Sequence, residues 1–247
     1  MELIGESKDL ENMSKYLMLD KNFDVYRKSN VTEETMVFEL GKLPVSTFCL
    51  IYLQGHGSPN SYLLKDFRIT KDRKVQGLTS EVMYNTLLTS DTYRRLLLVS
   101  DFCDAGDYYR TYFNSFTPTR PNNISSELQY YLCLESEPEW KESPHWNGRV
   151  PAARAIHVAG ANRGEEALEG DISGGFFTNA FATTWDEPLT LPARLHKLRY
   201  TVSMWIKGAK NKELLPQIPQ IFCSFKPDLN DPTVLKKFQV GDLEEME

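Results

Sequence analysis

The sequence lacks the features that mark several common classes of protein. Its 247 residues include only four cysteines, whose wide separation shows neither the spacing of a zinc site nor that of a redox pair. No apolar run approaches the roughly 20 residues that a membrane-spanning helix needs. Met1 leads directly into Glu2, without the basic and apolar regions of a secretory signal. We therefore expect reduced thiols, a cytoplasmic location and no membrane association.

Positive charge is also scarce. The formal net charge is -6 and no basic block interrupts the sequence, which argues against nucleic acid as a partner. Gly174-Gly175 lacks the spacing of a phosphate-binding loop, so a flavodoxin-like or nucleotide-binding domain is a weak alternative. Hydrophobic residues make up 41% of the chain, as in an ordinary globular protein, and the length fits one large α/β domain or two small ones.

Helical and strand-like patterns alternate along the chain. Helical spacing of apolar residues covers 9–17, 32–43, 79–88, 175–184 and 191–207. Strand-like apolar runs cover 23–26, 48–53, 95–100, 155–159 and 218–225. Strands that alternate with helices predict a parallel sheet covered by helices on both faces.

Two segments depart from this alternation. Residues 115–151 are rich in Pro, Asn, Ser and Glu and are long for a connection inside a compact domain, so we interpret them as a linker or flexible insert. Residues 231–247 end in a run of acidic residues, which indicates a solvated C-terminal tail. The predicted organisation is one domain over residues 1–230, containing the 115–151 insert, followed by the acidic tail.

Two of the apolar runs end close to a reactive side chain. Residues 48–53 are followed by Gln54-Gly55-His56-Gly57, and residues 95–100 by Asp101-Phe102-Cys103. Sites in open α/β sheets form at the carboxyl ends of strands, so neighbouring strands would bring His56 and Cys103 side by side. A histidine beside a cysteine is the minimum machinery of a thiol protease. Either residue alone would more often be structural, but their equivalent positions favour the catalytic interpretation.

The sequences around these residues resemble a known family. Residues 53–57 and 101–106 are similar to the histidine and cysteine boxes of metacaspases, the caspase-like peptidases. Weaker matches lie at 3–9, 159–167 and 174–178, so the resemblance covers about residues 3–226. It implies a caspase-like three-layer α/β sandwich, with a mostly parallel central sheet and helices on both faces. Family members carry a further strand before the segment matched by residues 3–9, so the predicted sheet lacks its first strand.

The resemblance also implies residue roles. Cys103 would attack the scissile carbonyl, while His56 would activate the thiol and later protonate the leaving amine. The amides of Gly57 and Cys103 would bind the oxyanion. Asp9 and Asp101 match the two carboxylates of the metacaspase specificity pocket, which implies protein or peptide substrates with Arg or Lys at P1. The alternative roles are a helix N-terminal charge for Asp9 and a turn carboxylate for Asp101.

Further family properties are carried over only as expectations. The chemistry requires no cofactor, but many metacaspases need Ca²⁺ as an activator. Asp66, Asp72, Asp104 and Asp107 are acidic candidates, yet no spacing matches, so the metal site is unknown. Family members also cut themselves in the linker, where Arg120, Lys141 and Arg149 fit a basic P1 preference. A role in programmed cell death is implied in the same way, while the oligomeric state is left open.

Several residues depart from the family pattern. Gln54 and Phe102 replace the serines that usually stand before Gly-His-Gly and before the nucleophile, and Asp104 replaces the usual histidine. A carboxylate at Asp104 disfavours the thiolate if it points inward. The alternative function is therefore a catalytically inactive caspase-like scaffold or regulatory module. The joint presence of both reactive residues and both pocket carboxylates favours the enzyme.

Overall fold

A computed structural model describes residues 6–19, 24–44, 48–72, 75–88, 95–107, 114–115, 153–170, 173–209 and 217–241. The helices are α1 (Glu6–Leu19), α2 (Glu33–Gly41), α3 (Ser80–Leu88), α4 (Phe176–Thr184), α5 (Leu191–Gly208) and α6 (Val234–Val240). The strands are β1 (Phe48–Gln54), β2 (His56–Ser58), β3 (Ser61–Leu63), β4 (Arg68–Ile69), β5 (Val75–Gln76), β6 (Leu78–Thr79), β7 (Arg95–Asp101), β8 (Asn114–Ser115), β9 (Arg154–Ala159), β10 (Glu169–Gly170), β11 (Gly174–Gly175) and β12 (Gln220–Cys223).

The central sheet has five strands in the order β1-β7-β9-β12-β8. β1, β7 and β9 are parallel, with Leu50 opposite Leu97 and Leu97 opposite Ile156, while β12 runs antiparallel to β9 and β8. The apolar runs of β7 and β9 form inner strands, and both of their faces are covered. The predicted mostly parallel sheet is confirmed.

Apolar side chains alternate between two cores along β7. Leu97 and Val99 belong to a cluster with residues of α1, α4, α5 and α6. Leu96 and Leu98 belong to a second cluster with residues of α2 and α3. Since successive side chains of a strand point to opposite faces, the sheet lies between two helical layers. The predicted three-layer sandwich is confirmed.

Helix starts follow the capping chemistry of the sequence. The Thr32 side chain accepts a hydrogen bond from the Thr35 backbone N–H at 3.3 Å, and Glu33 and Glu34 lie in the first turn of α2. The Thr190 side chain accepts from the Ala193 backbone N–H at 3.3 Å and begins α5. These helices therefore begin where the sequence predicts.

Three expectations need correction. Residues 24–26 form no strand, although a strand was predicted over 23–26. His56 does not lie in a loop, because it begins β2, which pairs with β3. The predicted solvated tail is wrong over residues 234–240, since these form α6 and bury Val234 and Phe238 in the core. Apolar side chains within this segment outweigh the acidic residues that suggested a tail.

Some predicted features fall outside the described residues. Nearly all of the predicted 115–151 linker lies there, as do residues 1–5, which precede α1, and residues 242–247 of the predicted tail. Arg120, Lys141 and Arg149 lie in the same undescribed part.

Candidate active site

The segments that follow β1 and β7 are in direct contact. Gln54 lies opposite Asp101 at the ends of the two strands, and the Gly55 backbone N–H donates to the Asp101 carbonyl at 3.4 Å. A Cβ added at Gly57 would lie 2.0 Å from the carbonyl oxygen of Cys103. Only glycine fits so close an approach of two backbones. The sequence prediction that His56 and Cys103 emerge from neighbouring strands is therefore confirmed.

His56 is held by a small antiparallel sheet rather than by a loop. It pairs with Leu63 of β3, and β3 in turn pairs with β6. The Nε2 atom of His56 is buried and has no hydrogen-bond partner among the described residues. One ring nitrogen thus remains uncommitted, as proton transfer requires.

Cys103 is half-buried, and its surroundings favour the neutral thiol. Burial raises the pKa of the Cys103 thiol, and the charges of Glu166 and Asp104 raise it further. A hydrogen bond from the backbone of Ala167 acts in the opposite direction. A free thiolate is therefore disfavoured until the proton is accepted by a base or a cation approaches.

Asp104 connects two loops at the edge of the sheet. Its φ of 60° lies in the left-handed region, which aspartate tolerates better than most residues. Its Oδ1 atom accepts a hydrogen bond from the Gly164 backbone N–H at 2.6 Å, and its own N–H donates to the carbonyl of Glu165 at 3.1 Å. The carboxylate therefore fixes the loop after β9 against the Cys103 segment.

Phe102 and Gln54, which also depart from the family pattern, belong to one packed group. Phe102 is fully buried, and its ring centroid lies 4.8 Å from that of Tyr62. The Tyr62 hydroxyl donates to the Gln54 carbonyl at 2.6 Å. Tyr62 on β3 thus joins the end of β1 to the residue before Cys103, and the aromatic pair adds stability beyond its buried area.

Asp9 and Asp101 are buried together on the sheet face that α1 and α4 cover, with 2% and 5% of their surfaces exposed. Asp9 Oδ1 accepts from the Gly175 backbone N–H at 2.6 Å, and Asp9 Oδ2 accepts from Gln54 Nε2 at 2.5 Å. Asp101 Oδ2 accepts from the backbone N–H and the hydroxyl of Thr178, at 3.2 and 2.6 Å. The structure therefore brings the two predicted carboxylates to one place.

Burial dominates the electrostatics of this pair. Burial, together with the charge of the neighbouring Asp101, raises the pKa of Asp9 from 3.8 to about 7. It also raises the pKa of Asp101 to about 6, against the hydrogen bonds from Thr178. Asp101 Oδ1 is buried without a hydrogen-bond partner among the described residues. Two desolvated carboxylates, one with an uncommitted oxygen, form a place where a cation is strongly favoured.

A third carboxylate, Glu169, was missed by the sequence interpretation. It is exposed on β10 and lies opposite Gly175 of β11. Its charge raises the pKa of both Asp9 and Asp101. Glu169 follows closely on the matched residues 165–167, but only the β10–β11 pairing reveals that it belongs to this acidic group.

The acidic side chains of the described residues form no cluster suited to a metal ion. Over these ranges no group of three or more His, Cys, Asp or Glu side chains is arranged to hold a metal ion. The Asp66 carboxylate accepts a hydrogen bond from the Glu33 backbone N–H at 3.0 Å. The Asp104 carboxylate accepts one from the Gly164 backbone N–H. These acidic candidates are therefore used in holding loops together.

Comparisons with known proteins agree with this geometry. A family model described as a caspase domain matches residues 1–229, so the chain belongs to the caspase-domain family of cysteine peptidases. Caspase-1 from Spodoptera frugiperda is similar, with a TM-score of 0.55 and 14% identity over 88% of this chain and 77% of that one. The structure of pro-sf-caspase-1 matches with a TM-score of 0.50 and 14% identity, covering 88% and 78% of the two chains. A search of curated proteins finds no match.

Membership of a peptidase family implies protein substrates. The likeness to the two solved structures supports the fold alone, because their identity to this chain is low. No helix within the described ranges is both long and apolar enough to cross a membrane.

Proposed function

We propose that this protein is a cysteine endopeptidase that cleaves proteins after Arg or Lys. The observation that carries this proposal is the buried pair of Asp9 and Asp101 beside the Cys103 segment, with one Asp101 oxygen uncommitted. Ionising both carboxylates in a site so shielded from water is energetically unfavourable unless a positive charge lies beside them. The side chain of a basic P1 residue supplies that charge where the scissile bond is presented to the sulfur.

Cys103 and His56 divide the chemistry between them. The thiol of Cys103 gives its proton to His56, and the sulfur forms a bond to the scissile carbonyl carbon. The amides of Gly57 and Cys103 donate to the resulting oxyanion. His56 then returns the proton to the leaving amine as the peptide C–N bond breaks. Water hydrolyses the thioester, which releases the new carboxyl end and restores the thiol.

Because the pKa of the Cys103 thiol is raised, its ionisation depends on which substrate is bound. Negative charges at Glu166 and Asp104 oppose ionisation of Cys103 in the empty site. A cationic P1 side chain that enters next to Asp101 offsets nearby negative charge. Binding of the correct substrate therefore favours the transfer of the thiol proton to His56.

The test is hydrolysis of fluorogenic peptides that differ only at P1, with Arg, Lys or Asp, in the presence and absence of Ca²⁺. Cleavage after Arg or Lys that disappears in Cys103→Ala is the expected result. Cleavage after Asp would contradict the roles of Asp9 and Asp101. A Ca²⁺ requirement would support the metal ion as an activator.

The alternative function is a catalytically silent scaffold or regulatory module. The observation that favours it is the raised pKa of the Cys103 thiol, caused first by burial and then by the charges of Glu166 and Asp104. It predicts that a folded sample cleaves none of the peptides. In that case Cys103→Ala would behave like the wild type in this assay.

Self-processing, a cytoplasmic location and a role in programmed cell death complete the proposal. Cuts after Arg120, Lys141 or Arg149 would follow from the same P1 preference. Mass spectrometry of freshly purified protein and of its Cys103→Ala variant tests this. Fragments that end at one of these residues should form only when Cys103 is present.

A further inference from the structure

We propose that Gln54 makes the acidic pocket select Lys over Arg at P1. This inference rests on the proposed function and concerns the same site. Gln54 is the last residue of β1, opposite Asp101, and its side-chain amide donates to Asp9 Oδ2. Gln54 thus occupies a carboxylate oxygen that a substrate would otherwise use.

The four oxygens of the two carboxylates differ in the number of hydrogen bonds that they accept. Both oxygens of Asp9 already accept a hydrogen bond, Oδ1 from the Gly175 backbone and Oδ2 from Gln54. Oδ2 of Asp101 accepts two hydrogen bonds from Thr178. Oδ1 of Asp101 is buried and lacks a partner among the described residues. The pocket therefore offers a cation one uncommitted oxygen rather than a pair on one carboxylate.

This arrangement suits an ammonium group better than a guanidinium group. Arg gains its advantage at carboxylates from two parallel hydrogen bonds to both oxygens of one group. Neither Asp9 nor Asp101 presents two uncommitted oxygens. The Lys ammonium is a compact charge with three donors that can be directed separately. It can take Oδ1 of Asp101 without displacing Gln54 from Asp9.

The walls of the pocket leave little room for the carboxylates to rearrange. A Cβ at Gly174 would lie 2.3 Å from Asp9 Oδ1, and one at Gly160 would lie 3.1 Å from Asp101 Oδ1. Gln54 itself is fixed at its backbone, because its carbonyl accepts from the Tyr62 hydroxyl. A smaller residue at position 54 would vacate space and release Asp9 Oδ2, which would admit a guanidinium group.

The first test compares kcat/KM for matched peptides with Lys or Arg at P1, in the wild type, Gln54→Ala and Gln54→Ser. We expect the wild type to prefer Lys by about tenfold and both variants to lose or reverse that preference. Gln76→Ala is the control, because Gln76 is exposed on β5, outside the pocket, and should leave the ratio unchanged. A wild-type preference for Arg, or a Lys-to-Arg ratio in the Gln54 variants that equals the wild-type ratio, would overturn the inference.

A second test does not depend on turnover. The melting temperature is measured at pH 8 with n-butylammonium or n-butylguanidinium, using Cys103→Ala to prevent self-cleavage. We expect the ammonium to stabilise the protein more, and the added Gln54→Ala change to reverse the order. If the two cations differ in their effect on the melting temperature but the wild type cleaves no peptide in the first test, the proposed protease fails while the pocket inference stands. If peptides are cleaved but neither test responds to Gln54, the inference fails and the protease stands.

Discussion

Asp9 and Asp101 face the same backbone position, Gly175, from two different elements of the fold. A Cβ built at Gly175 would lie 2.4 Å from Oδ2 of Asp101 and 3.2 Å from Oδ2 of Asp9. Asp9 comes from α1 and Asp101 from the end of β7, while Gly175 ends β11 and precedes α4. The proximity of the two carboxylates therefore depends on the absence of a side chain at Gly175.

The first prediction concerns this glycine. Gly175→Ala should lower kcat/KM for basic P1 peptides at least tenfold, because the added methyl group must displace Asp101, Asp9 or both. It should also destabilise the protein by about 1–3 kcal/mol, the usual range for overpacking. Denaturant unfolding and peptide hydrolysis measure the two effects.

Gly208→Ala is the matched control, since a Cβ there would meet nothing within 4 Å. It should leave both the stability and kcat/KM close to those of the wild type. Equal behaviour of the Gly175 and Gly208 variants would show that the carboxylates are not confined as described.

The second prediction is that Asp101→Asn stabilises the protein at neutral and alkaline pH. The pKa of Asp101 is raised from 3.8 to about 6, so the folded state binds its proton more tightly than the unfolded state does. The associated stability is fully present below about pH 4 and is lost as the pH rises through about 6. At pH 8, Asp101→Asn should therefore gain about 1–3 kcal/mol over the wild type.

The measurement is the free energy of unfolding of both proteins from pH 4 to pH 8. The amide keeps an oxygen that can accept from Thr178, so the surrounding hydrogen bonds can persist. The advantage of the variant should grow between pH 4 and pH 7 and then level off. A variant that is less stable than the wild type at pH 8 would contradict the assigned burial of the charge.

Sequence reasoning was sufficient for the parts of this fold that repeat a local pattern. The apolar runs of β1 and β7 predicted neighbouring parallel strands, and Thr32 predicted the start of α2. The expected full burial holds for β7, whereas only Ile51 and Leu53 of β1 are buried. The family resemblance brought Asp9 into the site, although 91 intervening residues separate it from the other carboxylate in the printed sequence. Physical pattern alone would have left Asp9 as a charge at the start of a helix.

Other parts depend on contacts that no local pattern encodes. The small sheet that holds His56 consists of strands only two or three residues long, too short to show a period. Glu169 lies near Asp9 and Asp101 because β10 pairs with β11, and no pattern in the sequence indicates that pairing. Gln54 was identified only as a departure from the family, and its contact with Asp9 gives that departure a physical meaning.

The third prediction concerns the reactivity of Cys103. Because Glu166 is exposed and raises the pKa of the thiol, Glu166→Gln should lower that pKa. Alkylation by iodoacetamide at pH 7.5 should become about two- to threefold faster, the size of a change of a few tenths in pKa. Peptide mapping follows the label on each cysteine.

Glu81→Gln is the control for this experiment, since Glu81 is an exposed carboxylate on α3. Its labelling rate should match that of the wild type. Cys223 should remain unlabelled in every folded sample, because it is fully buried. Faster labelling in both glutamate variants would mean that total charge, rather than the position of Glu166, controls the thiol.

The fourth prediction concerns His157, which is fully buried. Its Nε2 atom lies 3.0 Å from the hydroxyl oxygen of Ser100. Burial lowers its pKa from 6.5 to about 3, so the unfolded state takes up the proton first as the pH falls. Stability from this residue is present above pH 6.5 and is lost towards pH 3, by up to about 1.4 kcal/mol per pH unit.

The double variant Ser100→Ala with His157→Leu removes both polar groups together. Its free energy of unfolding should fall less steeply than that of the wild type between pH 6.5 and pH 4. An unchanged slope in the double variant would mean that His157 is protonated in the folded protein or is already accessible to solvent.

The most direct test of the central claim is covalent labelling by peptidyl acyloxymethyl ketones that carry Lys, Arg or Asp at P1, followed by mass spectrometry. Each reagent alkylates a nucleophilic sulfur much faster when its P1 side chain occupies the specificity pocket. We predict one adduct, on Cys103, with the Lys and Arg reagents, and its loss in both His56→Ala and Asp101→Asn. Labelling by the Asp reagent, or labelling of a different cysteine, would contradict a basic-specific Cys103 peptidase.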